Sequence, residues 1–217
     1  MIEHLLFDLD NTLYPASAPI NKGIASRMSC FVTDFLHVPA EEAAEMRRSG
    51  LTRFGTTLEW LRTEHSLDKA GIEAFFAAVH PASEADEVPF DPQLRNLLLH
   101  IPLPKSILTN APIEHAERIL RMLSIEDLFV SVCDLRANNL YGKPYPDSYA
   151  NAAALSGFTI AQTLFIDDHL KYTTGYAKIG GKAVLIDFYN EHEECGFDRL
   201  RSVYQLPDYL QKLNNCT

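Results

Sequence analysis

The sequence has few cysteines for its 217 residues: Cys30, Cys133, Cys195 and Cys216, none in a CxxC spacing. Such scatter argues for reduced thiols in a cytoplasm, and against a disulfide framework or a metal knuckle. No apolar stretch approaches the roughly 18 residues of a membrane span. An apolar run begins within the first five residues, which leaves no room for a signal peptide and makes a cytoplasmic location the expectation. Positive charge is also scarce, with 19 Lys and Arg against 29 Asp and Glu for a net charge of −10. Nucleic acid and anionic membranes demand a basic surface, so neither is expected as a partner. Any phosphate bound here needs local help. The histidines show no HExxH or paired-ligand spacing, and His192 with Cys195 is at most half a metal site. His169, beside two acids, is the one histidine whose neighbourhood invites a test. Internal repeats and low-complexity segments are absent too.

What is present is ordinary globular material, 47% hydrophobic and 22% charged. Apolar runs at His4–Phe7, Ser106–Thr109, Phe129–Cys133, Leu164–Ile166 and Ala183–Ile186 read as buried strands. Helical spacing lies between the last four, as in Ala116, Ile119, Leu120 and Leu123. This alternation predicts an α/β fold: a Rossmann-like parallel sheet with helices on both faces, whose ligands sit at the carboxyl ends of the strands. The first gap is different. From 17 to 89 there is helical patterning only, as in Ile72, Phe75, Phe76 and Val79, bounded by Pro15 and Pro19 on one side and Pro89 and Pro92 on the other. The expected organisation is a core domain of 1–16 and 90–217 with an inserted α-helical cap domain, 17–89.

Polar residues punctuate the strand ends. Asp8 and Asp10 follow the first in FDLDNTLY, and Thr109 and Asn110 end the second in ILTNAP. Lys143 follows the third in YGKPYPDSY, and Asp167 with Asp168 end a later one in LFIDDHLK. Each has a plain alternative. The aspartates would cap turns, Asn110 would be an N-cap ahead of Pro112, Lys143 a solvated loop residue, and Asp168 a cap for the next helix. Their joint convergence on one sheet edge favours a site, and adjacent acids closing a buried strand invite a cation.

In order, type and approximate spacing these residues resemble the four motifs of the haloacid dehalogenase superfamily: DxDxT (Asp8, Asp10, Thr12), a Ser or Thr (Thr109), a Lys (Lys143) and an acidic pair (Asp167, Asp168). The wording DLDNTLYP, ILTNA, GKPxPxxY and RFGTTLEWL is similar to the pyrimidine 5′-nucleotidase branch. The resemblance implies a phosphohydrolase acting on a small phosphorylated substrate, most naturally a nucleoside 5′-monophosphate. It also implies Mg²⁺ bound by Asp8, the backbone carbonyl of Asp10 and Asp168, with Asp167 in support. A carboxylate attacks a charged phosphoryl group only when cations and aimed donors offset that charge. Asp8 is then the nucleophile forming an aspartyl-phosphate, and Asp10 the acid that protonates the leaving oxygen and later deprotonates water. Thr109 and Asn110 contact phosphoryl oxygens, Lys143 offsets charge on phosphate and on Asp8, and Thr12 steadies the turn. Asp10 argues against dehalogenation, which needs no such proton donor. A sugar phosphatase, a phosphoglycolate phosphatase or a phosphomutase of the same superfamily is the alternative, and a non-catalytic phosphate-binding protein the alternative of another class. A monomer or weak homodimer is expected.

Two departures stand out. Asn11 replaces a Gly common in relatives, tolerable because Asn accepts left-handed backbone. Tyr172 stands where relatives often carry Asn. In the cap, Arg53, Phe54, Thr56, Thr57 and Trp60 are the candidates for contacting the substrate. Arg47 and Arg48, spaced after Glu41, Glu42 and Glu45, read better as an ion-paired solvated face.

Overall fold

The computed structural model describes residues 1–215; Cys216, one of the four predicted free thiols, lies outside them. Among the described residues Cys30, Cys133 and Cys195 are unpaired, and no helix is long and apolar enough to cross a membrane. The chain divides into two compact units, one of Met1–Ser17 with Pro89 onward and one of Ala18–Val88.

The first unit is built on a six-stranded parallel sheet in the order β3-β2-β1-β4-β5-β6. Its strands are β1 (His4–Phe7), β2 (Lys105–Leu108), β3 (Ser131–Cys133), β4 (Thr163–Asp167), β5 (Lys182–Ile186) and β6 (Asp198–Leu200). The predicted Rossmann-like α/β class is therefore the observed one, with β6 added at the edge. Of the interior strands, β1, β2 and β4 are buried along their whole length, as expected for strands covered on both faces, while β5 is buried over its last three residues. Leu6, Leu108, Cys133 and Phe165, one from each of four strands, share a core cluster with Tyr149, Ala152 and Tyr176. Tyr149 belongs to a helix over Pro146–Ser156 and Tyr176 to one over Leu170–Lys178. The rings of Tyr149, Tyr176 and Phe165 meet at centroid distances of 5.1–5.5 Å, so large aromatic areas hold these helices to the sheet.

On the same face, toward the amino ends of the strands, a polar ladder crosses four strands. The Thr163 hydroxyl donates to the Thr159 carbonyl at 2.9 Å, so toward His4 Nδ1, 3.1 Å away, it can only accept. Nδ1 therefore carries the proton, and Nε2 accepts from the Ser106 hydroxyl at 3.0 Å. Ser131 in turn donates to Ser106 at 2.8 Å. Neutral His4 satisfies every member of this chain, and burial lowers its pKa to about 4.

Because the chain starts at β1, fills β2 and β3 on one side and then crosses to β4 on the other, the order reverses between β1 and β4. Crevices at such reversals are where open α/β sheets bind ligands.

The second unit is helical among its described residues: α1 (Pro19–Leu36), α2 (Ala40–Phe54), α3 (Thr57–Glu64), α4 (Lys69–Val79) and a 3-10 turn over Ala82–Glu87. In the core unit α5 (Pro92–Leu99) and α6 (Ile113–Met122) follow, the Pro146 and Leu170 helices are α7 and α8, and α9 is Leu206–Asn215. Pro19 and Pro92 open α1 and α5, where a missing N–H costs nothing. In α4 the buried residues are Ile72, Phe75, Phe76 and Val79, the face the spacing marked.

Candidate active site

Register dictates which carboxylates meet. Phe7 pairs with Ile166 across β1 and β4, and the Asp8 amide continues the ladder by donating to the Ile166 carbonyl at 2.8 Å. One residue further on, Asp8 and Asp167 therefore leave neighbouring strand ends side by side. Ligand oxygens of Asp8, Asp167 and Asp168 all lie within 4.8 Å of one another, close enough to hold one metal ion. These are hard oxygen donors, the set that divalent cations such as Mg²⁺ take.

Lys143 compensates the cluster. Its Nζ donates to Asp8 Oδ1 at 2.5 Å and to Asp167 Oδ2 at 2.6 Å, and it lies 5.6 Å from the Phe165 ring centroid and 5.1 Å from that of Tyr172. The residue is only 3% exposed, which excludes the solvated-lysine alternative. Burial opposes its charge, but Asp167 and Asp8 more than offset that and hold the ammonium above its usual range. Asp8 is pushed well above the ordinary carboxylate value, first by burial and then by Asp167, Asp168 and Asp10, with Lys143 pulling the other way. Asp168 is raised to about 7 by burial and by Asp167, with Lys143 and a hydrogen bond from the Asn11 side chain opposing the rise. Crowded anions with raised pKa values are what a bound cation would relieve.

Asn110 is the brace for Lys143. Its carboxamide donates to the Lys143 carbonyl at 3.0 Å and accepts from the Lys143 amide at 2.7 Å, ahead of a cis Lys143–Pro144 bond. A Cβ on Gly142 would stand 2.0 Å from Asn110 Oδ1, so the glycine is what lets the carboxamide approach. The N-cap alternative for Asn110 does not hold: α6 is capped by Pro112, and Asp134 accepts from the Ile113 amide at 2.9 Å. Thr109 is 1% exposed, and its hydroxyl oxygen accepts from the Ala111 amide at 3.0 Å. Asp168 does not cap α8 either. His169 does, through Nδ1 accepting from the Lys171 amide at 3.2 Å, while Asp167 accepts from the His169 amide at 2.7 Å. The suggestive histidine thus has a capping job.

Thr12 donates to Asp8 Oδ2 at 3.3 Å, and Asn11 takes the left-handed backbone expected of it, with φ at 63°. The Asp10 carboxylate has partners of its own. Its Oδ1 receives the Tyr14 hydroxyl at 2.5 Å and His115 Nε2 at 2.8 Å. Sequence reading passed over both partners. Tyr14 had a signal, one helical turn after Asp10, but His115 comes from α6, over a hundred residues away, and had none. Tyr172 also finds a role: its hydroxyl bonds the Asn110 side chain, and its carbonyl accepts from Tyr149 at 2.8 Å.

The helical unit corrects several readings. Trp60 is 2% exposed, a Cβ on Gly50 would lie 2.4 Å from its ring, and its Nε1 donates to Glu64 at 2.9 Å. It is a packing residue of the α2–α3 pair with no face for stacking on a base. Thr56 caps α3, accepting from the Glu59 amide at 3.1 Å, and buried Thr57 accepts from Arg47 Nε at 3.0 Å. Arg47 is therefore turned inward, its other contact being Met28 Sδ at 3.4 Å, and is not part of an ion-paired face; burial lowers its pKa. Arg53 pairs with Glu64 and lies 5.0 Å from the Phe54 ring centroid.

The sequence model of the haloacid dehalogenase-like hydrolases matches residues 2–173. Phosphate metabolism protein 8 of Saccharomyces cerevisiae is 27% identical over 177 residues, 75% of this chain and 54% of that protein, so the chain spans about half the length of this relative. Among solved structures, an HAD phosphatase from Thermococcus onnurineus is similar with a TM-score of 0.71 at 18% identity, covering 96% of this chain and 98% of that one. A 2-haloacid dehalogenase from Pseudomonas syringae pv. tomato gives 0.63 at 19% identity, with 98% and 100% covered. The L-2-haloacid dehalogenase of Xanthobacter autotrophicus gives 0.63 at 17%, with 97% and 99% covered. At such identities the likeness is one of fold, and that fold is shared by phosphatases and dehalogenases.

Proposed function

The chain belongs to the haloacid dehalogenase-like hydrolases, and from that premise we propose that it is a Mg²⁺-dependent phosphohydrolase of small phosphomonoesters, with a nucleoside 5′-monophosphate as the preferred class. The observation that carries the reading is the second acid. Asp10, two residues after Asp8, is held by two hydrogen-bond donors, an investment that dehalogenation has no use for and that phosphoryl transfer requires. The raised and crowded carboxylates of Asp8, Asp167 and Asp168 support the metal.

Asp8 attacks phosphorus, a bond forms from its carboxylate oxygen, and the bond to the leaving oxygen breaks as Asp10 gives that oxygen a proton. Water then attacks the aspartyl-phosphate, giving its proton to Asp10 and restoring Asp8. Lys143 orients the Asp8 carboxylate and offsets charge as the phosphoryl group arrives. Thr109, whose oxygen accepts from a backbone amide, keeps its proton for a phosphoryl oxygen. Mg²⁺ held by Asp8, Asp167 and Asp168 would neutralise charge on the phosphoryl group.

Support for the nucleotide comes from the wording of the motifs, not from the cap, where Trp60 and Thr57 are internal. A panel of nucleoside monophosphates, sugar phosphates and phosphoglycolate with Mg²⁺ tests the reading. Turnover of nucleotides above the others is expected. Turnover of the other esters alone would refute the nucleotide class, and turnover of none would refute the phosphatase.

A further inference from the structure

The Lys143 ammonium bonds Asp8 and Asp167, whereas the Asp10 carboxylate is held by two other groups, which come from different parts of the core. Tyr14 lies on the turn that follows β1, where the Leu13 amide donates to the Leu9 carbonyl at 3.0 Å, so that one turn of helix-like backbone stacks Tyr14 over Asp10. His115 is in the first turn of α6, whose start is fixed by Asp134 through the Ile113 amide. Both bond the same atom, Asp10 Oδ1.

We propose that Tyr14 and His115 are positioning residues that make Asp10 Oδ1 the permanent acceptor and so assign the travelling proton to Oδ2. The inference rests on the reading of Asp10 as the acid that serves Asp8. An oxygen that accepts two hydrogen bonds is the carbonyl-like oxygen of a carboxylic acid, and the hydroxyl is then the other one. When Asp10 is ionised its Oδ1 has no proton to give, so His115, 2.8 Å away, must meet it with Nε2–H. Two anchors on one atom, arriving from the β1 turn and from α6, also fix the carboxyl plane. Rotation about the Cβ–Cγ bond would break both bonds at once. During the first half-reaction the Oδ2–H bond breaks as the proton passes to the leaving oxygen, and the phosphorus bond to that oxygen breaks with it. In the second half-reaction water adds to phosphorus, its proton returns to Oδ2, and the bond between phosphorus and Asp8 breaks. Oδ1 stays an acceptor throughout, so neither Tyr14 nor His115 has to exchange a proton.

Such a device matters in proportion to the leaving group's need for a proton. The test is single-turnover release of the leaving group, which reads the first half-reaction alone, from an alkyl phosphomonoester and from p-nitrophenyl phosphate, both with Mg²⁺. The proteins compared are wild type, Asp8→Asn, Tyr14→Phe, His115→Leu and His115→Gln. Tyr14→Phe and His115→Leu are expected to slow alkoxide release about 10- to 100-fold, within the range that acid–base catalysis contributes. Release of p-nitrophenolate, which leaves without a proton, should change less than about threefold, a difference too small to reflect lost acid catalysis. That second substrate also reports that each variant is folded. His115→Gln, which restores an N–H donor, should recover part of the loss. Equal losses on both esters, or unchanged release of the alkoxide, would overturn the positioning role. If wild type hydrolyses both esters and Asp8→Asn neither, the phosphatase reading stands and the variants decide. If wild type hydrolyses neither, that reading falls and takes this inference with it.

Discussion

Replacing Lys143 by Met removes the ammonium that bonds both Asp8 and Asp167. With Asp8, Asp167 and Asp168 ionised, the cluster goes from a charge of −2 to −3, and the side chain removed is 1% exposed while those of Asp8 and Asp167 are 10% and 0%. A unit-charge pair at about 4 Å is worth about 4 kcal/mol at the effective dielectric of proteins, so two such pairs gain about 8 kcal/mol. Several kcal/mol of that go to desolvating the lysine. Removing one partner strands the others, and the expected net loss is about 3–5 kcal/mol in EDTA at pH 8. The assay is urea unfolding followed by circular dichroism, with the slope checked for constancy. The loss should shrink at pH 5, because Lys143 is what holds down Asp8, and without it Asp8 takes up a proton. It should shrink again when Mg²⁺ replaces EDTA, and the double variant Lys143→Met/Asp167→Asn, back at −2, should regain at least about half of it. A loss under about 1 kcal/mol, the size of a surface pair, would refute the reasoning. So would a larger loss that ignores pH and metal alike.

The acidic cluster gives wild type its own pH signature. Asp168 is raised from 3.8 to about 7, so its contribution is full below pH 3.8 and is lost as pH rises through 7, a change of about 2–4 kcal/mol in EDTA. Thermal melts from pH 5 to 8 should show this fall, and saturating Mg²⁺ should flatten it; identical slopes with and without metal would count against the site. His4 acts in the opposite sense. With its pKa lowered from 6.5 to about 4, its contribution is full above pH 6.5 and is lost as pH falls toward 4. The stability advantage of wild type over His4→Gln should therefore narrow by about 2–3 kcal/mol across that window, and a constant advantage would argue against the neutral ladder.

How much of this was legible from the sequence follows from the physics of each element. The buried strands announce themselves as continuous apolar runs, because a parallel sheet covered on both faces leaves no alternation. Strand β6 does not, since Asp198, Arg199 and Leu200 form an edge of three residues with a half-open pattern. The carboxylates Asp8, Asp167 and Asp168 were legible because they end or directly follow β1 and β4, and parallel register brings those strand ends together. Their supports were not. Asn110 reads as a phosphate contact or an N-cap, and its hold on the Lys143 backbone shows only once the chain folds back onto it; His115, with no paired-ligand spacing, carries no signal at all. Arg47 is misread for a related reason. Charge spacing on α2 marks a solvated face, but only the packing of α3 shows Thr57 facing its guanidinium. Likewise the single Trp looks like a base-stacking platform until Gly50 is found against it.

The central claim is that Asp8 becomes covalently phosphorylated. It is tested most directly by acid quench during steady turnover of a phosphomonoester with Mg²⁺, followed by mass spectrometry of the peptide that contains FDLDNTLY. The account predicts one phosphoryl group on Asp8, removed by hydroxylamine and absent from Asp8→Asn, which should also be inactive. Turnover with no phosphoryl group at Asp8, or full activity in Asp8→Asn, would contradict it.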